Sequence, residues 1–234
     1  MVQADIALIL QCIKQGDSSA VVRMFTQKNG LLSFLIKGVY KKQQSKAALV
    51  QPMQFVHLNY RMHESKELLF ASELKAYQVF QWIPFSPVKL AQLNFLAELL
   101  LKTLKPGVDD APLFDHIVYL LTELDAKEED PNFHLRFLID YAAHLGIGIT
   151  FNYSSENQYF SFESGSFVPV KTGTADAYIS LGLATLVQTE VPLELPSNRL
   201  QRNEILHVLL DYFRYHYPSL NAFKSPEVLS AIFT

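Results

Sequence analysis

The sequence predicts an α+β protein, with an N-terminal five-stranded OB-type β-barrel followed by a mainly α-helical domain that carries a small inserted β-hairpin. Three observations lead there. The first eighty residues read as five short strands bounded by turn formers, with almost no helical pattern. The texture then changes at Gln81-Trp82-Ile83-Pro84-Phe85-Ser86-Pro87, where two prolines break any regular element. Beyond that point leucines recur at helical spacing until a stretch of alternation from Ile147 to Val170 interrupts them. The expected division is therefore a barrel domain over 1–81 and a helical domain over 82–234, with the hairpin at about 147–170.

The strands follow from period-2 patterning. Asp5 to Gln15 alternates around Ile6, Leu8, Leu10 and Cys12. Two further strands carry Val21, Val22, Met24 and Phe25, then Leu31, Leu32, Phe34, Leu35 and Ile36, with a tight turn at Asn29-Gly30 between them. A fourth places Val56, Leu58, Tyr60 and Met62 on one side and His57, Asn59 and Arg61 on the other, the mark of a sheet with one wet face. Glu67 to Tyr77 supplies a fifth strand or the start of a helix.

Helix starts and stops are marked by caps. Ser86-Pro87 is an N-cap followed by proline at the first helical position, leading into Leu90, Leu93, Leu96, Leu100 and Leu104 before Pro106-Gly107. A second helix begins around Pro112 and a third near Pro131, the latter ending at Gly146. The following segment alternates through Ile147, Ile149, Phe151 and Tyr153, makes a polar turn at Ser154-Ser155-Glu156-Asn157 and resumes at Tyr159, Phe160 and Phe162 before Ser164-Gly165, as a hairpin or a three-stranded flap. Thr174 to Gln188 reads as a short helix. Asn198 opens a long one, with Gln201 three positions on as in a capping box, and Ser225-Pro226-Glu227 starts a last one.

At 234 residues, 49% hydrophobic and 18% charged, the composition is that of a globular chain with a sizeable core. The net charge of −3 conceals an asymmetry. In residues 1–80 ten Lys and Arg oppose five Asp and Glu, a net of +5; in the remainder ten oppose eighteen, a net of −8. A basic N-terminal third on an acidic body points to a polyanionic partner for that third. A single cysteine, Cys12, excludes an internal disulfide and a multi-cysteine zinc site, and its place in a strand pattern predicts a buried structural thiol. No apolar run reaches the ~20 residues of a membrane span. The N-terminus lacks the basic region of a signal peptide, so the expected location is cytoplasmic.

Chemistry-bearing motifs are missing. The seven histidines are scattered without metal-ligand spacing, and no nucleophile elbow, phosphate-binding loop or dinucleotide fingerprint is present. The expectation is a protein that is not an enzyme and has neither metal nor cofactor. What remains is the loop after the third strand, where Lys37, Lys41, Lys42 and Lys46 surround Tyr40 with no acid between them. Lysines on such a loop track phosphates, and a tyrosine among them offers a stacking surface. Arg23 joins the set if its strand turns a polar face to the groove. Tyr60 either stacks as well or shares the buried face with Leu58 and Met62; the alternation favours the core.

These residues resemble a known family. Asp17-Ser18-Ser19-Ala20-Val21-Val22-Arg23-Met24-Phe25-Thr26, then Gly30, then Ile36-Lys37-Gly38-Val39-Tyr40-Lys41-Lys42 and Ser45, are similar in order and spacing to the N-terminal domain of the RecO recombination mediators. The Gln51-Pro52-Met53-Gln54 step and the run Tyr212-Phe213-Arg214-Tyr215-His216 are similar too. The resemblance implies an OB domain and a helical domain, and binding of single- and double-stranded DNA with strand annealing. It also implies partnership with RecR and with the acidic C-terminal tail of the single-strand DNA-binding protein, in a bacterial, nucleoid-associated setting. Many relatives carry a four-cysteine zinc knuckle after the third long helix. Here Gly146–Val170 has no cysteine, and Phe151, Tyr159, Phe160, Phe162 and Phe167 are expected to hold the hairpin without zinc. Two other readings stand beside this one: a scaffold whose basic domain docks acidic partner segments, and a hydrolase or nuclease using carboxylates that no motif singles out.

Overall fold

The computed structural model describes residues 2–41, 46–63, 66–171, 175–187, 198–223 and 225–232. They fall into two compact units, Met1–Glu129 and Asp130–Thr234.

In the first unit five strands close into a barrel: β1 (Val2–Gln15), β2 (Ser19–Thr26), β3 (Gly30–Ile36), β4 (Phe55–Arg61) and β5 (Leu68–Gln78). Their order around the barrel is β1-β2-β3-β5-β4, with β4 returning to β1. Every pairing is antiparallel except β3 with β5, where Ser33, Phe34 and Leu35 oppose Leu68, Leu69 and Phe70 in parallel. This is the five-stranded OB arrangement, and it settles the segment after Glu67 as a strand. The interior is filled by alternate residues, among them Ile9, Val22, Met24, Phe34, Val56, Leu58 and Leu74. Tyr60 belongs to this core at 1% exposure, with its ring edge-on to Phe34 at 5.1 Å. It offers no stacking face to solvent.

β1 breaks register between Ile9 and Gln11. The bulge shifts the alternation by one, so that Ala7, Ile9 and then Cys12 pack toward the interior. Cys12 lies at the barrel end and is half-buried rather than fully enclosed. Leu8 and Leu10 point outward yet are buried, because the barrel exterior is covered. α1 (Pro87–Thr103) packs on β1, and α2 (Ala111–Ala126) places Phe114 against Phe25 at 5.5 Å and Phe55 at 6.0 Å. The caps are local. The Ser86 side chain accepts from the Lys89 N–H, and Asp110 accepts from the Leu113 N–H at 3.0 Å.

The second unit is built on α3 (Phe133–His144), α4 (Ala177–Val187) and α5 (Arg199–His216), followed by α6 (Ser225–Ile232). α3 and α4 both pack on α5. Gly182 of α4 faces Ile205 so closely that a Cβ would sit 2.8 Å from its Cδ1. Between α3 and α4 lies a two-stranded hairpin of β6 (Tyr159–Ser161) and β7 (Ser166–Val168). Its turn falls at 162–165, where the pattern breaks at Ser164-Gly165, and the stretch 154–157, where the alternation also predicts a turn, joins no pair of strands. The reason is Asn152, whose side chain both donates to the Phe167 carbonyl and accepts from the Phe167 N–H, each at 2.9 Å. One side chain thus takes the place of a strand, and Ile147–Tyr153 forms no ladder.

The aromatic residues hold this hairpin. Phe160 contacts Phe167 at 5.5 Å and Tyr212 of α5 at 5.2 Å. The Tyr212 hydroxyl donates to the Ile147 carbonyl at 2.6 Å. Phe151, in contrast, is exposed. Among the described residues no three His, Cys, Asp or Glu side chains gather as a metal cluster, and no helix is long and apolar enough to cross a membrane.

Candidate nucleic-acid interface

The cationic loop is built on two apolar anchors. β3 ends at Ile36, and Gly38 turns the chain with a φ of +74°, a conformation that favours glycine. Val39 then drops fully buried into the barrel core, and Val50, in a single 3-10 turn over Ala47–Val50, does the same at the loop's far end. Two backbone bonds fix the near end, from the Tyr40 N–H to the Ser18 carbonyl at 3.2 Å and from the Lys46 N–H to the Val39 carbonyl at 2.9 Å. With Val39 held inside, Lys37, Tyr40 and Lys41 are left exposed on one turn. Lys42 lies outside the described residues.

The turn gains partners from neighbouring strands. Lys14 of β1 sits over the Tyr40 ring with Nζ 5.6 Å from its centroid. The Tyr40 hydroxyl is 3.6 Å from Cys12 Sγ, and that hydrogen bond, with lesser contributions from burial and the Cys12 charge, raises the phenol above its usual pKa. On the other side, Lys37 places Nζ 5.5 Å from the centroid of the Phe70 ring on β5. Both arrangements are cation–π contacts. Lys46 is half-buried and near enough to Glu73 to act on its charge. Glu73 is held below the usual carboxylate range chiefly by Lys75, its ion-pair partner at 2.6 Å, with Asn59 and Lys46 adding to the effect. The fold thus brings one acid toward a loop that has none in sequence, and gives it a lysine of its own. Among the described residues, Lys14, Lys37, Lys41 and Lys46 form no ion pair.

Arg23 stands elsewhere. It lies between Gln11 and Ser33 in the sheet and borders a cleft of about 360 Å³ against α1 with Asn94, Glu98 and Lys102. Phe70 and Lys14 were not singled out by the sequence. Leu69 and Leu74 take inside positions on β5, so Phe70 is an aromatic on the wet face, 52% exposed. That signal is readable only once the segment is known to be a strand.

Chemically, the arrangement can hold phosphates as point charges and present aromatic rings beside them. Residues 1–80 match the family model described as "Recombination protein O N terminal", and residues 84–226 match "Recombination protein O C terminal". Proteins called "DNA repair protein RecO" are similar along their full length. That of Phocaeicola vulgatus is 27% identical over 242 residues, and that of Bacteroides fragilis is 27% identical over 241, covering 100% of both chains in each case. That of Flavobacterium johnsoniae is 27% identical over 236 residues, covering 97% of this chain and 98% of its own.

Proposed function

Since the chain belongs to the RecO family of DNA repair proteins, we propose that it acts without catalysis as a recombination mediator. It binds single- and double-stranded DNA and anneals complementary strands. With RecR it helps recombinase load onto DNA coated with single-strand DNA-binding protein, whose acidic C-terminal tail is a further ligand. The setting is the bacterial cytoplasm, at the nucleoid.

The observation that carries the reading is the turn after β3. Burial of Val39 forces Lys37, Tyr40 and Lys41 outward together, with Lys14 alongside and no carboxylate paired to them among the described residues. Lys42 and Lys46 extend the same basic run in sequence. Phosphate contacts of this kind give affinity that is nearly blind to sequence and steep in salt. Arg23, facing the α1 cleft, enters as a separate contact.

The test is a titration of the chain with DNA alone, at low salt and without partner proteins. Binding is expected. Its absence would leave the basic barrel as a dock for acidic partner segments. Labelled DNA incubated with the protein and a divalent cation is expected to stay intact, and cleavage would overturn the non-catalytic reading.

A further inference from the structure

A second feature of the barrel lies beside the loop. Next to the end of β4 and the start of β5 is a cleft of about 380 Å³, within the size range of small-ligand pockets. Val2, Leu68 and Phe70 contribute apolar surface, and Arg61, His63 and Lys66 contribute polar groups. Among the described residues that line it there is no carboxylate. Lys37 is not part of the lining, yet its ammonium sits over the Phe70 ring. The aromatic side chain therefore belongs both to the cleft and to the loop cations.

We propose that this cleft receives one unpaired nucleobase, stacked on Phe70, with the flanking phosphates held by Lys37 on the loop side and by Arg61 and Lys66 on the other. The proposal rests on the DNA-binding reading and adds to it a residue that separates single strands from duplex.

An exposed phenylalanine on the wet face of a strand offers a flat apolar surface that water solvates poorly. Cations near that ring suit a ligand that is flat and apolar in one part and anionic at its edges, which describes a nucleotide. Val2 pairs with Arg61 in the β1–β4 ladder, so apolar and cationic surface meet at one sheet position. A base within a duplex has both faces covered by its neighbours and cannot reach the ring, whereas an unpaired base can. Because every base has a π-face, the preference is for single strands and not for a sequence. The phosphates around the loop supply affinity for either form of DNA; the cleft adds affinity only for the unpaired one.

The experiment measures binding of the full chain to three probes of matched length: an oligothymidylate, an abasic single strand of equal charge, and a duplex. Phe70→Ala is expected to weaken binding of the oligothymidylate by roughly tenfold or more, the usual loss on removing a base-stacking aromatic. Binding of the abasic strand and the duplex is expected to stay within twofold, and Phe70→Tyr to retain the wild-type pattern. Phe70 is exposed, so the melting temperature of each variant serves as the control for folding. Equal losses on all three probes, or no loss on any, would overturn the base cleft while leaving DNA binding in place. An acidic peptide that displaces none of the probes from wild-type protein, yet loses its own binding in Phe70→Ala, would overturn it in favour of a peptide dock. Wild-type protein that binds none of the three at low salt contradicts the DNA-binding reading itself.

Discussion

The Tyr60 hydroxyl donates to Asp5 Oδ2 at 3.3 Å in the wall of the barrel, joining β4 to β1 where Gln3 and Tyr60 pair across the ladder. Asn29 of the β2–β3 turn donates to the same phenol oxygen at 2.7 Å, so three segments share one buried polar cluster. Asp5 is 4% exposed and Tyr60 1%.

That cluster gives the fold an alkaline limit. Burial, then the neighbouring Asp5 charge and hydrogen bond, raise the Tyr60 pKa well above its usual value, against a smaller opposing effect of Asn29. Below about pH 10 the phenol is neutral in both folded and unfolded chains and its contribution is fully present. As pH rises further, the unfolded chain ionises first and stability falls by up to about 1.4 kcal/mol per pH unit. Tyr60→Phe is expected to lose about 1 kcal/mol at neutral pH, with Asp5 and Asn29 left without the phenol. The variant's stability should also fall less steeply above pH 10, as read by urea unfolding.

An acid limit sits in the second unit. His134 is 1% exposed, and burial, with the Arg202 charge adding to it, pushes its pKa down to about 3. The folded chain keeps it neutral while the unfolded chain takes up a proton below about pH 6.5. Stability is therefore lost as pH falls from about 6.5 toward 3, by up to about 1.4 kcal/mol per pH unit. Urea unfolding of His134→Gln is expected to show a shallower acid slope than the wild type. An unchanged slope would move the acid sensitivity to other groups.

Gly30 closes the β2–β3 hairpin at a φ of +66°, and a Cβ there would come 1.9 Å from the Val108 carbonyl oxygen. The loop between α1 and α2 leaves no space, since the Gly107 N–H also donates to the Leu31 carbonyl at 3.2 Å. Gly30→Ala is expected to destabilise by at least about 2 kcal/mol, from left-handed strain and collision together. Gly16→Ala, at φ +63° with open space around its Cβ position, should cost less, being strained but not obstructed. Thermal melts of the pair separate the two effects.

The hairpin of the second unit is expected to stand without metal. Tyr212→Phe removes the hydroxyl that satisfies the Ile147 carbonyl and should cost about 1–3 kcal/mol. A chelator should leave the wild-type melting temperature unchanged. A chelator-induced drop would show that a metal ion contributes to this unit.

The strands were legible wherever one face is wet, as in β4, where Leu58 and Tyr60 alternate with exposed His57 and half-buried Asn59. They were less legible where both faces are covered. Leu8, Leu10 and Phe25 read as ordinary strand apolars, and nothing in their order says that helices lie over the barrel exterior. The bulge in β1 and the Asn152 side chain standing in for a strand are equally invisible, because each depends on a partner distant in sequence. For the same reason the loop lysines were visible as a run, while Lys14 over Tyr40 and Phe70 under Lys37 come from other strands. Arg23 showed the reverse: adjacent to the motif in sequence, it faces a different cleft.

DNA affinity against salt tests whether the turn after β3 is the phosphate-binding surface. The logarithm of affinity for a single strand falls against the logarithm of salt concentration with a slope of about −0.7 per phosphate contact. Reversing Lys41 and Lys42 together to Glu is expected to weaken binding at low salt and to make that slope shallower by about 1.4 or more. The same affinity and the same slope in the double variant would contradict the account.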